Sequence, residues 1–133
     1  MEPTEIIAII DRINDYRMLK FRRDNLKEQM ERLSNQGYDI AAHDRFDLLA
    51  QTQRDLDRTE PGILETIRDI KQRYSLHPKD KALKLIVLYI ELLDTPPLQM
   101  KKVRQRINSL RPQVLGSIDD IQQIRDETSL FAD

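Results

Sequence analysis

Two pairs of acids stand three residues apart, Glu28 with Glu31 and Glu91 with Asp94. On a helix that spacing puts both carboxylates on one face, where facing pairs can hold Mg²⁺ through oxygen ligands. The histidines, His43 and His77, are the other side chains with chemistry near neutral pH. Neither has a glutamate three residues before it, so the helical Glu-x-x-His di-metal arrangement is absent. His43-Asp44 supplies one element of a metal-binding pair, and no second histidine is spaced to complete it. No Gly-x-Ser-x-Gly elbow occurs, and Gly37, Gly62 and Gly116 are too far apart to build a phosphate-cradling loop. With no cysteine, disulfides and thiolate metal sites are excluded.

The acid pairs resemble, in this general sense only, the paired motifs of all-α nucleotide pyrophosphatases. That family carries its motifs on successive helices, whereas about sixty residues separate them here. Lysines at motif spacing for phosphate are missing too. A Mg²⁺-dependent nucleotide phosphohydrolase is therefore the third expectation. The first is that the chain is not an enzyme and has no cofactor and no metal.

Charge is distributed more tellingly than the formal net charge of −1 suggests. From His77 to Gly116 there are eight basic residues against three acidic ones, and from Ser117 to Asp133 one against five. One basic cluster holds Lys101, Lys102, Arg104, Arg106 and Arg111, and another holds Arg17, Lys20, Arg22, Arg23 and Lys27. Of these, Arg17, Lys20, Arg23, Lys27, Lys101, Lys102, Arg104 and Arg106 are candidate contacts to phosphate or to an acidic partner. No helix-turn-helix pattern and no interleaved aromatics for base stacking accompany them. Alternatively, the acidic last segment folds on the basic one and neutralises it.

The elements that must position these groups are all helical, because apolar residues recur with a period near 3.6 throughout. A first helix is predicted from Pro3 or Thr4 to Asn35. Ile6, Ile9, Ile10, Ile13 and Tyr16 form one stripe, and Leu19, Leu26, Met30 and Leu33 a second. Asn35 or Gly37 provides its left-handed stop. A second helix begins near Asp39, with Ala42, Leu49, Leu56, Ile63 and Ile70 every seven residues and Phe46, Ile67 and Tyr74 interleaved. Gln53 and Glu60 are weak layers of this seam. Pro61-Gly62 either bends the helix on its solvent face or breaks it, with Thr59 as the cap of a fresh helix.

Ser75-Leu76-His77-Pro78 marks the next break. The helix from about Lys79 to Asp94 contains LKLIVLYIELL, apolar nearly all round and so expected at the centre of the fold or in an oligomer interface. Thr95 is predicted to cap the following helix, whose apolar face is Met100, Val103, Ile107 and Leu110. Arg111-Pro112 is predicted to interrupt it. Ser117 opens a last helix, with Ile118, Ile121 and Ile124 leading towards Phe131.

The expected fold is a single all-α domain over residues 1–133. Residues 1–76 form a long antiparallel helical hairpin, and residues 77–133 supply three shorter helices that complete a bundle. No run approaches the roughly 20 apolar residues needed to span a bilayer, and the acidic start lacks a signal-peptide pattern. A cytoplasmic protein with no membrane span is the resulting expectation. Its size and layout are similar to those of small helical-hairpin chaperones of bacterial secretion systems, which implies an adaptor, chaperone or assembly role. The primary expectation is non-enzymatic binding of another protein, or of a second copy as a homo-oligomer. The apolar residues Leu19, Leu26, Met30, Leu33 and Phe131 are its candidate contacts. Nucleic-acid binding by the two basic clusters is the alternative.

Overall fold

Glu2 and Glu5 begin the first helix: the Glu5 carboxylate reaches back to accept the Glu2 backbone N–H at 3.2 Å, half of a capping box. The structure, a computed structural model, describes residues 1–116. Helix α1 spans Pro3–Asn35, α2 Asp39–Leu76, α3 Lys81–Leu92 and α4 Met100–Leu115, with a 3-10 turn at Pro97–Gln99 before α4. No strand occurs among the described residues. Two compact units are present, one formed by Met1–Asn14 with the chain from Ile63 onward, the other by Asp15–Gly62.

In the 15–62 unit, α1 ends in a Schellman motif. Tyr38 N–H bonds the Leu33 carbonyl at 2.8 Å and Gly37 N–H bonds Ser34 at 3.1 Å, while Gly37 takes φ +84°. A side chain with a Cβ would be strained at that φ, which fixes glycine there. Tyr16, Leu26, Ala42 and Leu56 are the buried apolar side chains of this unit. Thr52 is also buried and satisfies its hydroxyl on the Leu48 carbonyl at 2.8 Å. The interleaved row of α2 differs here from its apolar pattern. Phe46 is exposed, whereas half-buried Arg45 and buried Thr52 face inward. Three-residue steps from Ala42 and Leu49 give Arg45 and Thr52, so a stripe counted on apolar residues alone lands one position off.

In the other unit, Ile6, Ile10 and Ile13 of α1 and Ile63, Ile67 and Ile70 of α2 are buried. Seven of the twelve residues of α3 are buried, Leu83, Leu85, Ile86, Leu88, Tyr89, Ile90 and Leu92. Each such side chain contributes roughly 1.5–3 kcal/mol on leaving water. That matches the burial expected of its nearly all-apolar sequence. Helix α3 packs on α4, which buries Val103, Ile107, Leu110, Arg111 and Leu115.

Pro61 lies inside α2, exposed, with Leu56 and Ile63 buried before and after it. The helix therefore continues through the proline. Its missing N–H removes the intrahelical donor to the Asp57 carbonyl, which lies on an exposed face where water can replace it. Thr59 is not a cap; its hydroxyl donates to the Asp55 carbonyl at 2.7 Å, a mid-helix back-bond. Pro112 corrects an expectation, because α4 runs on to Leu115 where an interruption was predicted. Pro112 is exposed too, and Gly116 N–H bonds the Pro112 carbonyl with φ +59° at the helix end. Thr95 is a second correction: its hydroxyl donates back to the Glu91 carbonyl, and the next turn starts from Pro96 without a side-chain cap. The predicted last helix from Ser117, with Phe131, lies outside the described residues.

Candidate functional site

The local sequence at the start of α3 arranges three side chains on one side of it. Asp80, extended at φ −73° and ψ 112°, caps the helix by accepting the Leu83 N–H at 3.1 Å. That pins the register, so Lys81, Lys84 and Leu88 fall at steps of three and four along one face. On α4, Lys102, Arg106, Ser109 and Gln113 repeat at the same steps. The two faces line one open groove of about 830 Å³, with Pro78 and Lys79 also in its lining. Gln105 completes the α4 wall, and Leu88 with Leu110, both buried, form the apolar part of the lining.

Five of the described lining residues are cationic, Lys79, Lys81, Lys84, Lys102 and Arg106, and none of those described is acidic. Lys81 Nζ donates across the groove to Gln113 Oε1 at 2.9 Å, and Gln113 Nε2 donates to the Ser109 carbonyl at 3.1 Å. The amide is thus held with its oxygen towards the lysine. Like charges gathered on a concave wall add to a positive potential that attracts an anion and weakens with salt. Among the described residues, no histidine, carboxylate or aromatic ring lines the groove. The chemistry these described residues offer is electrostatic and apolar capture.

Of the residues expected from sequence, Lys102 and Arg106 line this groove. Lys101 is exposed and Arg104 half-buried, both outside the lining. Arg111, grouped with these cations by sequence, is 2% exposed: its guanidinium donates to the Tyr89 hydroxyl and lies 5.5 Å from that ring's centre. Arg17, Lys20, Arg23 and Lys27 belong to the 15–62 unit. There Lys20 Nζ lies 5.4 Å from the centre of the Tyr16 ring, and Arg23 pairs with neighbouring Asp24 at 3.1 Å. Lys27 is exposed and Arg17 half-buried.

Among the expected apolar contacts, Leu26 is buried, and Leu19, Met30 and Leu33 are half-buried. Leu33 borders a depression of about 310 Å³ with Gln29, Arg32, Gln36 and Arg45. The large apolar side chains most open to solvent in the same unit are Tyr38, Ile40, Leu48, Phe21 and Phe46. Phe131 lies outside the described residues. Lys79, Lys81 and Lys84 were not singled out from sequence. Their signal was available in the steps from Lys81 to Lys84 and Leu88 behind a capping aspartate, but the apolar run around them masked it.

Glu28, Glu31, Glu91 and Asp94 are all exposed. Among the described residues, no group of three or more His, Cys, Asp or Glu could hold a metal ion. His43 stacks parallel to Phe46, with ring centres 6.4 Å apart, and His77 uses its backbone N–H to close the end of α2 on Arg73 and Tyr74. No helix among the described residues is long and apolar enough to cross a membrane. No protein-family model, curated protein or solved structure matches the chain.

Proposed function

We propose that the chain is a non-enzymatic protein-interaction module, an adaptor, chaperone or assembly subunit, whose α3–α4 groove receives an acidic amphipathic helix of a partner. The observation that carries this is the described lining itself, where five cations and no acid surround two leucines. A helix laid in the groove sets apolar residues on Leu88 and Leu110 and carboxylates against Lys81, Lys84, Lys102 and Arg106. From Lys102 to Gln113 the wall runs about 16 Å, three turns of such a helix.

Residues 1–76 serve, in this proposal, as a long antiparallel hairpin. Supporting this, Tyr16 bonds Glu60 and Gln29 bonds Arg45, a pairing in which later residues of α1 meet earlier residues of α2.

The test uses the full chain and a labelled synthetic helix with leucines on one face and glutamates beside them. Fluorescence anisotropy is expected to show binding that weakens with salt and falls at least about tenfold with Lys84→Glu and Lys102→Glu together. No binding at low salt overturns the proposal. A gel shift with duplex DNA or RNA, lost with the same two substitutions while the peptide fails to bind, assigns the groove to nucleic acid instead.

A further inference from the structure

We infer that in the isolated chain the α3–α4 groove is occupied by the chain's own residues 117–133, so that a partner binds by displacing them. This rests on the groove's taking acidic helices, and adds the occupant and the mode of regulation.

Three observations converge on that segment. Its charge is complementary: Asp119, Asp120, Asp126, Glu127 and Asp133 oppose the five groove cations, with Arg125 its one basic residue. Its apolar residues Ile118, Ile121 and Ile124 recur every three positions and suit the Leu88 and Leu110 lining. Its point of attachment is close by, because α4 ends at Leu115 and its cap Gly116 lies three residues beyond Gln113 at the groove's near end. Seventeen residues reach about 25 Å even when wound as helix, beyond the roughly 21 Å from Gly116 back to Lys102.

Tethering makes a weak contact sufficient. A segment joined directly to the helix it docks on acts at an effective concentration on the order of millimolar. An intrinsic dissociation constant near 0.1 mM then leaves about one groove in ten open. A competing partner's apparent affinity falls by that fraction, about tenfold. The device holds the groove against weak acidic ligands and yields it to a stronger one.

The experiment adds a labelled peptide of residues 117–133 to the full chain and to a full-chain variant with Asp119→Asn, Asp120→Asn, Asp126→Asn and Glu127→Gln. The neutralised variant is expected to bind the peptide about tenfold more tightly than the unaltered chain. Adding Lys84→Glu and Lys102→Glu to it is expected to abolish that gain. Equal, measurable affinity for the unaltered and neutralised chains overturns the inference while leaving the groove's function standing. If neither chain binds this peptide or the synthetic acidic helix, the proposed function fails with it. Light scattering supplies the last outcome. A monomer is expected, and a dimer that dissociates on neutralisation places the segment in the groove of a second copy, against the inference.

Discussion

The Tyr16 hydroxyl donates to Glu60 Oε2 at 2.7 Å, joining α1 to α2 across 44 residues of sequence. Tyr16 is buried and Glu60 half-buried, at a layer of the seam where an apolar residue would be expected. The phenol supplies the donor that makes a carboxylate tolerable there. Tyr16→Phe leaves that carboxylate partly desolvated without this donor and is expected to destabilise the protein by about 1.5–3 kcal/mol. Glu60→Gln, which keeps an acceptor, should cost less. Urea unfolding of the two variants measures the difference, and equal midpoints would refute this role of the pair.

Asp80 controls both the stability of α3 and the register of the groove lysines. Its carboxylate accepts the Leu83 N–H, one of the donors at the helix start that have no intrahelical partner. Asp80→Ala is expected to destabilise the protein by about 1 kcal/mol, while Asp80→Asn and Asp80→Ser recover most of it. Chemical denaturation checks the ranking. A fall in peptide affinity larger than the lost stability explains would show that the cap also positions Lys81 and Lys84.

Leu85 and Leu98 separate core from surface. Leu85 is 0% exposed within α3, and Leu98 is 97% exposed in the 3-10 turn. Leu85→Ala removes buried methyl groups and leaves a cavity, for an expected loss of about 2–5 kcal/mol. Leu98→Ala should stay within about 0.5 kcal/mol. Thermal unfolding of both tests the placement, and comparable losses would contradict it.

Among the described residues, the helices and most of their boundaries were legible in the sequence because local rules govern them. Pro3, Gly37 and the heptad from Ala42 to Ile70 act over single turns, and the structure follows them. The misplaced features depend on what lies beyond one turn. Thr95 has the side chain of a cap, but a hydroxyl bonds whichever carbonyl is nearest, and that is Glu91. Arg111 counts as a surface cation in any charge tally, yet Tyr89 on the neighbouring helix gives its guanidinium a buried acceptor. The groove was only half visible. Lys102 and Arg106 stood out in an acid-free run, whereas Lys81 and Lys84 became their partners through the packing of α3 on α4.

Pro112 shows how solvent exposure decides between a kink and a stop, and so gives the sharpest test of α4. An interior helical proline costs about 3 kcal/mol through its lost N–H and its clash with the carbonyl four residues back. Here that carbonyl belongs to Asn108, which is exposed, so water can replace the missing donor. Part of the cost remains in the folded state, while proline also stiffens the unfolded chain by about 0.4–1 kcal/mol. Pro112→Ala restores the N–H at the price of that stiffness and is expected to stabilise the protein by about 1–2 kcal/mol. Pro61→Ala should behave alike, since Asp57 and Pro61 are exposed in the same way. Had α4 ended before Pro112, alanine there would gain no helical bond and would lose the stiffness, lowering stability. The sign of the shift in the denaturation midpoint therefore distinguishes a continuous α4 from a broken one.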